Sequence, residues 1–351
     1  WDDDDATLLR VVTAAGAIET HAHSQDVDVS LAATVAVIDG PRVLVTPLAR
    51  TPTPPPLAAA TCTFPAPVVE CSWQPPCGAD AADGDGDPER LLALLSDGTL
   101  GVVSSCRSTA WEETSEALAD ETGDLEGRGA SALRGTVLEG SEALGVLTKG
   151  GGALRHLCWL DAGSALLALD RSDALDHTAA LLLLKFEQEC DISAGGVVVD
   201  RDVGWRVSVV AAAELPASAA RITPAEGPCG RDIDHKTRHL RAFLQLQNDG
   251  GVMEVSVRGD AMDVTAAASS DVSLPVVCAR ARAIPAPPAP HAIGSSPSAP
   301  RALLIGLDDA TGTLRCGSRV VARDVRSFGV HWTAPGGGVA GGDGDDDDAE
   351  A

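Results

Sequence analysis

Leu91-Leu92-Ala93-Leu94-Leu95, then Ser96-Asp97-Gly98, then Thr99-Leu100-Gly101-Val102-Val103 is a pair of short apolar runs hinged on an Asp-Gly step. Each run is too brief for an ordinary helix and is bounded by turn residues, which is how strands are written. Asp-Gly readily supplies the positive φ of a tight primed turn, so the stretch predicts a β-hairpin. The arrangement recurs along the chain. Val35-Ala36-Val37-Ile38 leads through Asp39-Gly40-Pro41-Arg42 to Val43-Leu44-Val45-Thr46, and Phe243-Leu244-Gln245-Leu246 leads through Asn248-Asp249-Gly250-Gly251 to a run starting at Val252. Leu303-Leu304-Ile305-Gly306-Leu307, Thr313-Leu314-Arg315-Cys316 and Val320-Val321-Ala322, with breaks at 308–312 and Gly317-Ser318, extend it into a meander.

A second unit is a strand that ends in tryptophan: Val68-Val69-Glu70-Cys71-Ser72-Trp73 and Leu154-Arg155-His156-Leu157-Cys158-Trp159. After the second, residues 165–169 and 179–184 form another hairpin pattern. Strand, loop and hairpin, repeated, spell the four-stranded blade of a propeller at about 40 to 45 residues per blade. The expected fold is therefore all-β, a degenerate WD40-like β-propeller without strict WD dipeptides. On pattern alone a β-sandwich stays open as the alternative.

Several stretches lack strand grammar. The prolines at 52–56 favour an extended conformation that cannot hold a ladder, and mark a change of domain. Residues 79–88 (acidic), 112–135 (acidic, with a partly helical pattern) and 283–300 (rich in Pro, Ala and Ser) read as disordered insertions, and 334–351 as a disordered Gly/Asp tail. The expected division is 1–50, 51–333 and 334–351. A start without Met and an end in Gly and Asp suggest a piece of a longer chain.

Charge and cysteines narrow the function. With 51 acidic against 26 basic residues the formal net charge is −25, which leaves no long basic stripe to neutralise nucleic-acid phosphates. The runs Asp2 to Asp5 and Asp345 to Asp348 read as solvated. Nine cysteines, Cys62, Cys71, Cys77, Cys106, Cys158, Cys190, Cys229, Cys278 and Cys316, include no CxxC pair. An odd, scattered set fits reduced thiols buried as small apolar groups in a cytosolic or nuclear protein. No apolar stretch approaches the roughly 18 to 20 residues of a membrane span, and the start is no signal peptide, so the chain is expected to be soluble.

The chemical motifs are weak. Gly336-x-Gly338-x-x-Gly341 spells a dinucleotide fingerprint, but acidic residues follow where a helix N-terminus is needed. Asp83-Gly84-Asp85-Gly86-Asp87 opens like a calcium loop, yet Pro88 stands where the sharp turn requires Gly. His21-x-His23 has no third ligand nearby; His235 and His239, in the charged segment 231–241, would share a face only if that segment were helical. A solvated loop, turn or connector is preferred in each case. Trp73, Trp159 and Trp205 could stack on bases, but without basic interleaving they are assigned to blade packing. GxSxG, HExxH and Walker A sequences are missing, so no catalytic, cofactor-binding or metal residue is assigned and no cofactor is expected.

The stretch Val35-Ala36-Val37-Ile38-Asp39-Gly40, Arg42-Val43-Leu44-Val45-Thr46, Pro54-Pro55-Pro56 and Phe64-Pro65-Ala66-Pro67-Val68 resembles, in order and spacing, the elongator complex protein 1 (IKAP) family. Ile305-Gly306-Leu307, Gly312-Thr313-Leu314, Arg319-Val320-Val321-Ala322 and Ser327-Phe328 are similar to that family's late-propeller stretch. Phe243-Leu244-Gln245-Leu246 with Asp249-Gly250, then Leu274-Pro275-Val276, are similar to its penultimate hairpin and the segment after it. The resemblance is colinear over roughly residues 30 to 333. It implies that residues up to about Arg50 finish a first propeller and that the rest makes most of a second, with the last blade expected to be incomplete.

The resemblance also implies function: a non-catalytic scaffold subunit of Elongator, supporting carboxymethyl-type modification of the transfer-RNA wobble uridine, U34. Implied partners are the catalytic subunit with radical S-adenosylmethionine and acetyltransferase domains, and a WD40 subunit. The full-length subunit would dimerise through a helical region absent here. Transfer RNA would be contacted by the complex, not by this acidic segment, in the cytoplasm and also the nucleus. Two alternatives remain at this stage, a generic propeller adaptor for protein–protein contacts and a propeller hydrolase.

Overall fold

The computed structural model describes residues 8–12, 18–22, 27–29, 34–48, 60–74, 89–106, 135–149, 151–161, 163–172, 177–188, 205–225, 239–247, 250–267, 269, 271–278, 280–285, 302–308, 310–326 and 328. A two-stranded hairpin, β1 (Leu8–Val12) and β2 (Ile18–Ala22), comes first. Five four-stranded antiparallel sheets follow. They are β3 (Val27–Val29), β4 (Thr34–Asp39), β5 (Arg42–Pro47) and β6 (Ala60–Thr63); β7 (Val68–Trp73), β8 (Glu89–Leu95), β9 (Leu100–Cys106) and β10 (Thr136–Val137); β11 (Gly152–Asp161), β12 (Ser164–Ser172), β13 (His177–Gln188) and β14 (Trp205–Leu215). The last two are β15 (Ala219–Pro224), β16 (His239–Leu246), β17 (Val252–Arg258) and β18 (Ala261–Ala266), then β19 (Arg280–Pro285), β20 (Ala302–Asp308), β21 (Thr313–Cys316) and β22 (Arg319–Ala322). One short helix, α1 (Glu142–Thr148), joins the second sheet to the third.

Every sheet is a plain meander in which each strand pairs with its neighbour in sequence, and no strand crosses to another sheet. A Greek-key sandwich needs such crossings, so the β-sandwich alternative falls. The first strand of each sheet lies against the first strand of the next: β3 against β7, β7 against β11, β11 against β15 and β15 against β19. Among the described residues, that radial stacking makes a propeller arrangement of five blades.

The alternation of side chains along each strand explains the uninterrupted apolar runs. On β8, Leu91, Ala93 and Leu95 enter the core shared with the first blade, while Leu92 and Leu94 enter the core shared with the third. On β12, Ala165, Leu167 and Leu169 face the second blade, and Leu166 and Ala168 face the fourth. On β16, Ala242, Leu244 and Leu246 face the third blade, and Phe243 faces the fifth. Successive residues of a strand point to opposite faces, so a strand covered on both sides needs apolar residues at both parities.

Several expectations are corrected. The turn at 96–98 is a three-residue loop, not a tight two-residue one. The Gly98 N–H donates to the Leu95 carbonyl (2.9 Å), only Gly98 takes positive φ (83°), and Leu95 still pairs with Thr99. The change of domain at Arg50 does not separate two sheets: β6 pairs with β5, and Cys62 and Phe64 share a core with Ala36, Val43 and Val45. Residues 283–285, assigned to an insertion, belong to β19, where Ala283 is buried against the fourth blade. Small alanines and a terminal proline hide a strand whose packing partner is the neighbouring blade. Residues 239–241 of the charged connector are likewise strand, in β16. The prolines at 52–56, the insertion at 79–88, all of the insertion at 112–135 but Gly135, whose N–H donates to the Thr63 carbonyl (3.1 Å), and the tail at 334–351 lie outside the described residues.

Phe64 locks the first two blades. Its N–H donates to the Pro41 carbonyl and that of Val68 to the Gly40 carbonyl, both at 2.8 Å. Its ring lies where side chains at two glycines would be: a Cβ on Gly101 would sit 2.6 Å from the ring and one on Gly135 2.2 Å from it. Phe64→Ala should destabilise the chain by about 3–5 kcal/mol, and Gly101→Val by about 1–3 kcal/mol through overpacking. Denaturant titration of the double variant should show a loss clearly smaller than the two added together, since the valine refills the vacated space.

Candidate functional site

The residues that could carry chemistry are dispersed. Among the described residues no three His, Cys, Asp or Glu side chains group closely enough to hold a metal ion. His21 lies on β2 and His239 opens β16; His23, His235, the Asp83–Asp87 run and the 336–341 glycines lie outside the described residues. Trp73, Trp159 and Trp205 are buried, as the packing assignment requires. Trp159 tilts against Phe186 with ring centroids 5.7 Å apart, and the Arg90 guanidinium lies 4.7 Å from the Trp205 ring centroid.

Cys62, Cys71, Cys158, Cys278 and Cys316 are in no disulfide, and the first four of them are buried. Burial pushes the Cys62 thiol up to about 12 and the Cys278 thiol up to about 11. Neither is a thiolate near neutral pH, so both behave as small apolar groups.

Several polar side chains tie one blade to the next. Ser72 Oγ accepts from the Trp159 N–H (3.0 Å), tying β7 to β11. Glu139 exchanges backbone hydrogen bonds with Trp205 and Val207 at 2.9 and 2.8 Å, and its carboxylate meets Arg206 at 2.7 Å, joining the second blade to the third. Gln245 clamps the segment ahead of the fifth blade: its Nε2 donates to the Val276 carbonyl (2.7 Å) and its Oε1 accepts from the Cys278 N–H (3.1 Å). Within the fourth blade, Arg241 grips Glu254 through both Nε (2.8 Å) and a terminal nitrogen (2.6 Å).

One polar group was not singled out by the sequence. His156 stands where β11 shifts register between Arg155 and Cys158, with φ of 57°, one of two described non-glycine residues at positive φ. Its Nε2 and the Oδ1 of Asp170 on β12 are both buried without a hydrogen-bond partner. Burial is the main cause that holds the imidazole below its ordinary pKa; Arg155 and Arg221 act in the same direction, while Asp170 and a hydrogen bond to the Ala219 backbone oppose it. A single histidine inside an apolar strand carries no spacing signal, so only the bulge reveals it.

A depressed histidine pKa contributes stability that is complete above the unfolded value of 6.5 and is lost as pH falls through the folded value. His156→Asn tolerates the left-handed backbone and does not titrate. Denaturant melts at pH 7.5 and pH 5.5 should show that the variant loses less stability on acidification than the parent does. His239, mostly exposed and also lowered by its partial burial, should show an effect of the same sign but smaller on substitution.

No helix among the described residues is long and apolar enough to cross a membrane. No curated protein matches the chain. A family model described as the ELP1 N-terminal second beta-propeller matches residues 37–333. That span runs from within β4 past β22, and so covers the five described blades apart from β3 and the first three residues of β4. The match, the meander blades and the colinear motifs agree: the chain belongs to the ELP1 N-terminal second beta-propeller family, the scaffold family of Elongator.

Proposed function

We propose that the chain acts as a non-catalytic scaffold segment within Elongator, supporting carboxymethyl-type modification of the transfer-RNA wobble uridine U34. The observation that carries this reading is the family match across 37–333. It is supported by a stacked-blade fold in which Ser72, Glu139 and Gln245 hold blade to blade. On this reading the bond-making chemistry belongs to the subunit with radical S-adenosylmethionine and acetyltransferase domains. The propeller presents that subunit and a WD40 subunit with docking surfaces. Transfer RNA is held by the assembly, in keeping with a formal charge of −25 on this chain. The subunit works in the cytoplasm as a dimer formed through a region outside this sequence. On this reading a first propeller precedes the described blades, the first of which, β3 to β6, has strands on both sides of Arg50.

Affinity purification of the full-length gene product, followed by mass spectrometry, should recover the other Elongator subunits. Nucleoside analysis of transfer RNA from cells lacking the gene should show carboxymethyl-type uridines reduced at least about tenfold, with modifications at other positions unchanged. Recovery of an unrelated partner set with normal U34 would replace this reading by the general adaptor one; turnover by the isolated chain would replace it by a hydrolase.

A further inference from the structure

One end of the stacked blades carries arginines at its centre although the chain as a whole is acidic. In an antiparallel meander the first strand of a blade starts at the end where the second finishes, the third starts and the fourth finishes. The first strands lie against one another and are the innermost. Where they start, those of the third, fourth and fifth blades present Gly152-Ala153-Leu154-Arg155-His156, Ala219-Ala220-Arg221 and Arg280-Ala281-Arg282, with no acidic residue among them. Arg155 and Arg280 are exposed, and neither is paired with a carboxylate among the described residues. Two buried atoms at this end, His156 Nε2 and the Nε of Arg315 on β21, have no hydrogen-bond partner. The carboxylates beside this centre are Glu70 on β7, Asp170 on β12, Asp271 ahead of β19 and Asp308 on β20. Asp308 is held by the Ala310 N–H (3.2 Å) and the Thr311 hydroxyl (2.6 Å). Around the centre, the other strands and connections of the second and third blades expose Asp97, Glu139, Glu142 and Glu214 at this end, against Lys149 and Arg171. Val69 on β7 and Val277 ahead of β19 are 45% and 42% exposed on its two flanks.

We propose that this centre docks a short, acidic, extended peptide segment of a partner protein, with carboxylates on Arg155 and Arg280 and aliphatic side chains on Val69 and Val277. The inference rests on the docking role proposed above, and adds the face and the chemistry of the partner. A carboxylate accepts two N–H bonds from one planar guanidinium, so exposed arginines select such groups by geometry as well as by charge. Exposed pairs are weak singly. Binding therefore needs arginines on more than one strand to meet one segment, and adjacent innermost strands supply them. The acidic groups around the centre decide between a peptide and a nucleic acid. A polyanion many charges long would run over Asp97, Glu139, Glu142 and Glu214 and be repelled, whereas a short segment stays on the arginines.

Fluorescence anisotropy with the full chain and a labelled synthetic peptide, Glu-Glu-Val repeated four times, tests this. At about 50 mM salt the peptide should bind with a Kd of about 100 µM or tighter, and at about 0.5 M salt binding should be lost. Arg155→Glu combined with Arg280→Glu should raise Kd at least about fivefold without changing the melting temperature, and the corresponding pair of Gln substitutions should fall between it and the parent. Arg258→Glu combined with Arg319→Glu makes the same change in net charge at the opposite end of the blades, where both arginines are exposed, and should leave Kd within about twofold. The proposal is overturned by no binding at low salt, by no loss in the first pair, or by an equal loss in the second, which would make net charge the cause. It is also overturned if a single-stranded RNA dodecamer binds more tightly than the peptide, which would assign the centre to nucleic acid. If the peptide fails while the other Elongator subunits co-purify with the full-length product, only this inference falls; if it binds as stated while they do not, only the assembly proposed above falls.

Discussion

The structure depends on one constraint: the middle blades must bury both faces, each against a different neighbour. A four-stranded meander with one wet face could alternate apolar and polar residues. Here β8, β12 and β13 cannot, because their odd and even positions belong to separate cores. Each fully buried leucine contributes about 1.5–3 kcal/mol, but only while the adjacent blade is in place. Stability is thus shared between blades and is not a property of any one of them. This explains why a chain with 3% aromatic residues can still assemble. Leu, Val and Ala fill narrow layers between sheets, and the few large rings, Phe64, Trp159 and Phe243, sit at the junctions between blades.

The same constraint sets what the seams require. Stacked sheets offer no ladder hydrogen bonds across the gap, so register between blades rests on a few polar ties. Parallel bridges join Glu139 to Arg206 and Ala225 to Ala283, and Ser72 holds the backbone of Trp159. On the seam between the third and fourth blades a cost is also visible. At the β11 bulge His156 turns into a left-handed backbone, and its Nε2 and the Oδ1 of Asp170 are left without partners. Unsatisfied buried polar atoms are expensive, so they persist only where neighbouring packing over-determines the geometry.

Much of the fold was legible because hairpin grammar is local. β4–β5, β8–β9, β16–β17 and the β20–β22 meander appear where Gly or Asp-Gly punctuates apolar runs, and Gly40, Gly98, Gly250, Gly312 and Gly317 all take positive φ. The strands that escaped notice lie at the outer and inner margins of blades. β14 alternates around exposed Val209 and Val210, β18 is largely exposed, and β19 buries only alanines between arginines. Their stability comes from pairing and from the next blade, which no short window of sequence contains. The helix α1 was missed for a related reason. At seven residues it has no periodic stripe to read, and it is fixed by Leu144 entering the core between the second and third blades.

The functional residues were less legible than the fold, for a reason rooted in the same packing. A propeller displays function on surfaces assembled from several blades, so the residues that meet a partner are distant in sequence and carry no fixed spacing. A catalytic motif would have been visible as a local string; a docking surface is not. The family relationship therefore informs function where motif spacing cannot, because it compares blade order along 37–333 in place of any local constellation. Charge is the one functional signal that survives in the sequence. Against a background of −25, arginines concentrated on β19, β21 and β22 mark the fifth blade as electrostatically distinct from the blades it stacks upon. A surface potential acts over about 8–10 Å at physiological salt, so the charge of that blade extends beyond its van der Waals surface.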